Sequence, residues 1–234
     1  MRAPTSTPLA QRLSGSALFS GIGEAWLDKF AKETVARRYA AGEHVWFAGG
    51  SAHHFVVIEA GIVEIQNMTP GGDGVVIGLF GAGESVGTSA ALERGAYPAD
   101  ALALTETDLL RVRAEPVLEA LMEHAPLALA VNRALLAHTA ALRAKIDIVS
   151  AGSVPRRLAA LTLYLIERFG KPTTQGSTAI EVSLTREQIA QLVSARVETV
   201  IRIMSRWQKA GWLVTTRHGL EVTRVDMLKR ILGA

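Results

Sequence analysis

The 234-residue chain contains no cysteine. Disulfides, thiolate metal sites, cysteine-ligated iron–sulfur clusters and cysteine nucleophiles are therefore excluded. No continuous apolar run approaches the roughly 18 residues of a membrane span. Residues Met1 to Ser16 carry Arg2 and Arg12 but no continuous apolar segment of the secretory kind. The cytoplasm is the expected compartment, with no membrane partner. Catalytic signatures are missing too: there is no Gly-x-Ser-x-Gly, no P-loop, no His-Glu-x-x-His and no Rossmann glycine pattern. Gly71-Gly-Asp-Gly74 reads as a hairpin turn, because no helix follows it to cradle a phosphate. Enzymatic activity is not expected. The six histidines (His44, His53, His54, His124, His138 and His218) include no pair at helical i,i+4 spacing. His53 and His54 would point to opposite faces of a strand. No metal and no cofactor is expected.

What is present suffices for one or two packed domains: the chain is 49% apolar and long enough to bury real cores. Its net charge of +3 is unevenly placed. Residues 1–150 hold 12 Lys+Arg against 16 Asp+Glu; residues 151–234 hold 13 against 6. An acidic front and a basic back point the last third toward a polyanion, although a basic face can also simply be solvated.

From Val45 to Val112 the texture is β-like. His54 to Ile58 and Ile62 to Ile65 flank Glu59-Ala-Gly61 and read as a hairpin. Pro70 to Gly74 is turn chemistry. Val75 to Phe80, Ala101 to Leu104 and Leu109 to Val112 complete a small barrel or sandwich. After Pro126 the pattern changes. Leu127 to Val149 is rich in alanine and leucine and has no glycine or proline. Val131, Leu135, His138, Leu142, Lys145/Ile146 and Val149 recur at steps of three and four, which predicts a long helix with one apolar stripe. The stripe serves a dimer seam or packs on its own domain. His138 is its one polar member, a register-setting group or a residue poised to titrate near neutrality. Ala151-Gly-Ser153 breaks the helix and Pro155 suits the first turn of the next, over 154–170. A strand follows at Ala179 to Ser183. The expected domains are 18–125, 126–150 and 151–234.

Thr185-Arg-Glu-Gln188 has the form of a capping box. A helix starting there would bury Ile189, Ala190, Leu192 and Val193. After a break at Ser194-Ala195, a second helix from Arg196 to Lys209 would bury Val200, Ile203, Met204 and Trp207. Two short helices joined so tightly make a helix-turn-helix. Glycine is usual at the turn position that Ser194 holds, since φ > 0 is favoured there, so serine implies mild strain or a different turn. Arg196, Glu198, Thr199, Ile201 and Arg202 would face outward, where arginine can bond guanine and a carboxylate can accept from cytosine. Glu198 and Arg202, four apart, would otherwise form an ordinary surface pair. Gly211 to Val214 and Leu220 to Val222 flank Arg217-His-Gly219 as a hairpin wing whose tip, Arg217 and His218, would meet phosphate.

These stretches, with Phe55 to Ile65, Gly83-Glu-Ser-Val-Gly87 and above all Val197-Glu-Thr-Val-Ile-Arg-Ile203, resemble the CRP/FNR family of transcription regulators. The resemblance covers about Leu18 to Lys229. It implies an α+β fold: an N-terminal β-roll of the cyclic-nucleotide-binding type, a long dimerisation helix and a C-terminal winged helix-turn-helix. It implies a homodimer joined through that helix, bound to double-stranded DNA, with RNA polymerase as a further partner. Glu198 and Arg202 match the general base-reading positions. Val197 stands where the FNR-like subgroup has valine, which implies a TTGAT-type half-site; Ile201 replaces that subgroup's serine and cannot hydrogen-bond, which leaves the outer bases of the half-site open. Thr185, Arg186 and His218 match positions that touch the DNA backbone.

The sensor half departs further. Gly83 and Glu84 match the family's nucleotide pocket, but its phosphate-holding Arg-Ser pair aligns with Tyr97-Pro98. A buried phosphate needs a cationic donor, and Arg94 lies three residues early. The adenine-contacting pair falls at Leu142-Arg143. With His138 these residues form the candidate effector pocket. The expected effector is one other than cyclic AMP, or none. A modified pocket responding to cyclic AMP or cyclic di-GMP is the alternative, and a partner-docking module without DNA binding is another.

Overall fold

The computed structural model describes residues 7–68, 74–174 and 176–233; the turn expected at Pro70 to Asp73 lies outside them. The chain divides into two compact units. The described residues of 1–67 and 79–140 form one, and those of 68–78 and 141–234 form the other.

The first unit is built on two antiparallel sheets. One has the order β1 (Thr34–Tyr39), β8 (Thr107–Arg113), β3 (His54–Ala60), β6 (Ser85–Val86); the other runs β2 (His44–Trp46), β7 (Asp100–Ala103), β4 (Val63–Met68), and most of β5 (Gly74–Phe80) falls in residues grouped with the second unit. Register places Phe55 opposite Val112 and Val57 opposite Leu110. All four are buried in a core shared with α1 (Leu9–Ser14), α2 (Glu24–Lys32), α3 (Thr88–Leu92) and α4 (Ala114–Glu123). Phe19 sits at its centre, with ring centroids 5.3 Å from Phe30 and 6.3 Å from Phe55. The hairpin expected between β3 and β4 does not form: β3 pairs with β8 and β6 while β4 pairs with β7 in the other sheet, and Gly61 turns the chain from one sheet to the other. Its φ is +86°, and a Cβ there would lie 2.4 Å from the Glu106 carbonyl oxygen.

The strands that sequence reasoning missed share a cause. In β1 four successive residues, Val35 to Arg38, are exposed, so no alternation marks it. β2 and β6 are two or three residues long and give no period.

Glu64 on β4 is 3% exposed, and burial pushes its carboxyl up to about 7. The folded chain thus holds a proton that the unfolded chain releases near its ordinary value of 4.5. Stability falls as pH rises from about 4.5 to 7, by up to about 3 kcal/mol. Glu64→Gln is expected to flatten that part of a melting-temperature profile and leave the acid end unchanged.

The helix expected over Leu127 to Val149 is α5 (Ala125–Ser150). By length and composition it could cross a membrane, but Leu127, Ala130 and Val131 lie in the first unit's core. The single stripe read from the sequence resolves into two faces. Val131 and His138 turn inward; Leu135, Leu142 and Ile146 are exposed, the last two at 49% and 61%. The expected stripe mixed these faces because the helix is apolar around most of its circumference, so spacing alone does not set its phase.

In the second unit, α6 (Val154–Phe169) buries Leu158, Leu161 and Leu165. A four-stranded sheet has the order β11 (Leu213–Thr216), β12 (Gly219–Val222), β10 (Thr178–Ile180), β9 (Gly170–Pro172). Between its strands run α7 (Arg186–Leu192) and α8 (Val197–Lys209), and α9 (Val225–Leu232) closes the unit. The strand expected at Ala179 to Ser183 is shorter and starts one residue earlier.

Candidate nucleic-acid interface and effector cavity

Thr185 caps α7. The Gln188 backbone N–H donates to the Thr185 hydroxyl at 3.1 Å, and the Thr185 N–H donates back to Gln188 Oε1 at 2.9 Å. Both bonds of the capping box therefore form, satisfying two donors that a helix N-terminus leaves open. Ile189, Ala190, Leu192 and Val193 are buried, and from α8 so are Val200, Ile203, Met204 and Trp207. Trp207 and Trp212 stack with centroids 5.9 Å apart.

Ser194 adopts φ +50°. The turn thus keeps the left-handed geometry that glycine favours and strains the serine, at about 1–2 kcal/mol for a side chain with a Cβ. Ser194→Gly relieves that strain and loosens the unfolded chain. A net gain of about 0.5 kcal/mol is expected in a denaturant melt, and Ser194→Val should lose stability.

With its apolar side buried, α8 presents the rest outward. Arg196, Glu198 and Arg202 are exposed, Ile201 is 46% exposed and Thr199 is half-buried. Neither Glu198 nor Arg202 has an ion-pair partner among the described residues. Arg217 and His218 stand exposed at the β11–β12 tip. Arg186 is half-buried, and burial lowers its pKa. Its Nη2 donates to the Thr215 hydroxyl at 2.7 Å, tying the start of α7 to the wing.

In the first unit, Gly83, Glu84 and His138 line one cavity of about 200 Å³ together with Leu18, Ser85 and Arg133. His138 Nε2 lies 2.6 Å from the Ser85 carbonyl oxygen. A carbonyl only accepts, so Nε2 carries the hydrogen. The Phe80 ring meets His138 edge-on. Glu84 accepts from the Gly81 N–H at 2.8 Å. Arg133 was not anticipated. Its signal was available: Ala130, Ala134 and Ala137 leave a small-residue groove on the helix face beside it.

The other expected pocket residues lie elsewhere. Tyr97 is 6% exposed; its ring stacks on Trp46 at 4.3 Å and its hydroxyl donates to the His54 carbonyl. Gly87, at φ +80°, makes room for this pair, since a Cβ there would come within 3.0 Å of the Trp46 ring and 3.2 Å of the Tyr97 ring. Arg94 (φ +51°) is exposed and does not line the cavity, and Leu142 and Arg143 are exposed residues of the second unit.

Fold and site together define a class: a β-roll of the cyclic-nucleotide-binding type, a long helix and a winged helix-turn-helix of the DNA-binding kind. Two family models match, "Cyclic nucleotide-binding domain" over residues 36–124 and "Crp-like helix-turn-helix domain" over residues 156–231. The chain is 26% identical over 222 residues to the cyclic AMP receptor protein of Thermus thermophilus, covering 94% of this chain and 98% of that one. It is 25% identical over 194 residues to the fumarate and nitrate reduction regulatory protein of Escherichia coli, covering 82% and 76%. The structure of FixK2 from Bradyrhizobium japonicum superposes with a TM-score of 0.73 at 17% identity, covering 85% of this chain and 96% of that one. The chain belongs to the CRP/FNR family of transcription regulators.

Proposed function

We propose that the protein is a homodimer that reads a palindromic duplex with FNR-like TTGAT-type half-sites. The observation that carries this reading is the outward face of α8: Arg196, Glu198, Ile201 and Arg202 are presented over a buried apolar side, and Val197 opens the helix. Glu198 and Arg202 read bases, with Arg196, Thr199 and Ile201 beside them. Isoleucine cannot hydrogen-bond, so Ile201 contributes a methyl contact to thymine. Thr185, Arg186, Arg217 and His218 face the backbone, where phosphate contacts position without specifying. The dimer forms through the exposed face of α5 and sets the two reading helices about one turn of duplex, roughly 34 Å, apart. Residues 18–125, 126–150 and 151–234 act as sensor, dimer helix and reader. The chain works in the cytoplasm with RNA polymerase.

The effector is one other than cyclic AMP, or none. By the resemblance, Tyr97 and Pro98 replace the phosphate-holding Arg-Ser pair, and Tyr97 is held in its stack with Trp46. Any effector acts only through unequal affinity for the two arrangements of the dimer. The retained Gly83 and Glu84 favour a second reading, a cyclic nucleotide bound in a modified pocket.

Selection of bound duplexes from a random pool, with and without cyclic AMP, cyclic di-GMP or small-molecule extract, tests both readings. A TTGAT-type palindrome, indifferent to cyclic AMP, is expected. Recovery of no palindrome under any condition overturns the first reading, and a requirement for either cyclic nucleotide moves the effector to the second.

A further inference from the structure

The turn between α7 and α8 leaves carbonyls that its own backbone does not satisfy. The Ile189 and Ala190 carbonyls accept from the N–H groups of Val193 (3.0 Å) and Ala195 (2.9 Å), and Gln191 receives a long bond of 3.3 Å from Ser194. The next carbonyls meet cations instead. Lys145 Nζ donates to the Gln191 oxygen at 2.9 Å and to the Leu192 oxygen at 2.6 Å. Arg157 Nη1 donates to the Val193 oxygen at 3.1 Å and to the Ser194 oxygen at 2.9 Å, while its Nε donates to the Gly152 oxygen at 2.8 Å. Four successive carbonyls, 191 to 194, are therefore closed by two side chains, one from α5 and one from α6. The C-terminus of a helix carries partial negative charge, and cations there are favoured. Bonds from a charged donor are about twice as strong as neutral ones. The clamp sits where Ser194 is strained, and α8 is capped two residues later, at Arg196.

We propose that Lys145 is a positioning residue for DNA reading: from α5 it holds the end of α7, and through the clamped turn it fixes the angle at which α8 presents Glu198 and Arg202. Lys145 itself touches no base and no phosphate. Burial lowers its pKa to about 8, so it is still mostly charged at pH 7. The proposal rests on α8 as the reading helix, and the test is arranged so that the two stand or fall separately.

Amide exchange needs no DNA. In full-length Lys145→Met, the Ser194 and Ala195 amides are expected to exchange at least tenfold faster. In Lys145→Arg, which offers a cation of similar reach, they keep the wild-type rate. Unchanged exchange in K145M overturns the clamp whatever the DNA does. On DNA, the palindrome recovered with the wild-type chain and a random duplex are compared over a salt series. K145M is expected to weaken palindrome binding about tenfold and to leave random-duplex affinity and its salt dependence unchanged, while K145R stays within about threefold of wild type. A lysine that touched phosphate would weaken both duplexes alike and lower the salt slope by about one. That result overturns the proposal, as does K145R binding no better than K145M. If K145M melts the C-terminal unit, as read from Trp207 fluorescence, Lys145→Gln replaces it with the same expectations.

Discussion

Replacing Glu198 or Arg202 by alanine lowers affinity for the selected palindrome by about 1–3 kcal/mol each and leaves random-duplex binding nearly untouched. The asymmetry follows from where these side chains stand. Both are exposed on the outer face of α8 and neither is engaged in an ion pair among the described residues, so truncation removes no fold contact. In the proposed base-reading role, what is lost is the hydrogen bonding that distinguishes one base pair from another. Arg217→Ala at the wing tip makes the contrast: it should weaken all sequences alike and reduce the salt slope by about one, because a phosphate contact releases counterions regardless of sequence. Competition binding against random duplex, at two salt concentrations, separates the two behaviours. Equal losses on every sequence would remove Glu198 and Arg202 from the base-reading role.

On the proposed dimer, arginine at both Leu142 and Ile146 is expected to separate the protomers and to weaken palindrome binding by about 10²–10⁴-fold. Two linked half-site contacts then become two independent ones, and the gain from effective concentration disappears. Both side chains are already exposed on the single chain, at 49% and 61%, so charge there costs the protomer little. In the dimer it would bury like charges against each other without partners. Sedimentation velocity reads the oligomer and gel shift reads the DNA. A dimer that survives the double substitution places the seam elsewhere.

How much of this was legible beforehand depended on how local the signal was. The capping box at Thr185 and Gln188 is written into four residues, and so is the left-handed turn at Ser194, where the expected strain takes the form of φ +50°. The turn at Gly61 was legible, but not that it carries the chain between two sheets instead of closing a hairpin. The α5 helix was legible as a helix but not in phase, because Leu129, Leu135, Leu136, Leu142 and Ile146 spread apolar character around the surface that the core leaves free. His138, read both as a seam residue and as a member of the candidate pocket, lines the cavity and is bonded to the Ser85 carbonyl. β1 carried no alternation, and α9 gave no cap to announce it. The Lys145–Arg157 clamp was illegible for another reason. A long cation finds its partners by three-dimensional reach, and nothing in the spacing of Lys145, 46 and 47 residues before the carbonyls it serves, marks the pairing.

The tryptophans are distributed two and two. Trp26 and Trp46 belong to the first unit, and Trp207 and Trp212 to the second. Trp46 lies flat against Tyr97 with its Nε1 donating to the Ala99 carbonyl, whereas Trp207 is buried and stacked on Trp212. Each half of the molecule thus carries its own optical reporter. Replacing Trp26 and Trp46 by phenylalanine would leave emission from the second unit alone, so a titration with DNA can be followed there without an added label.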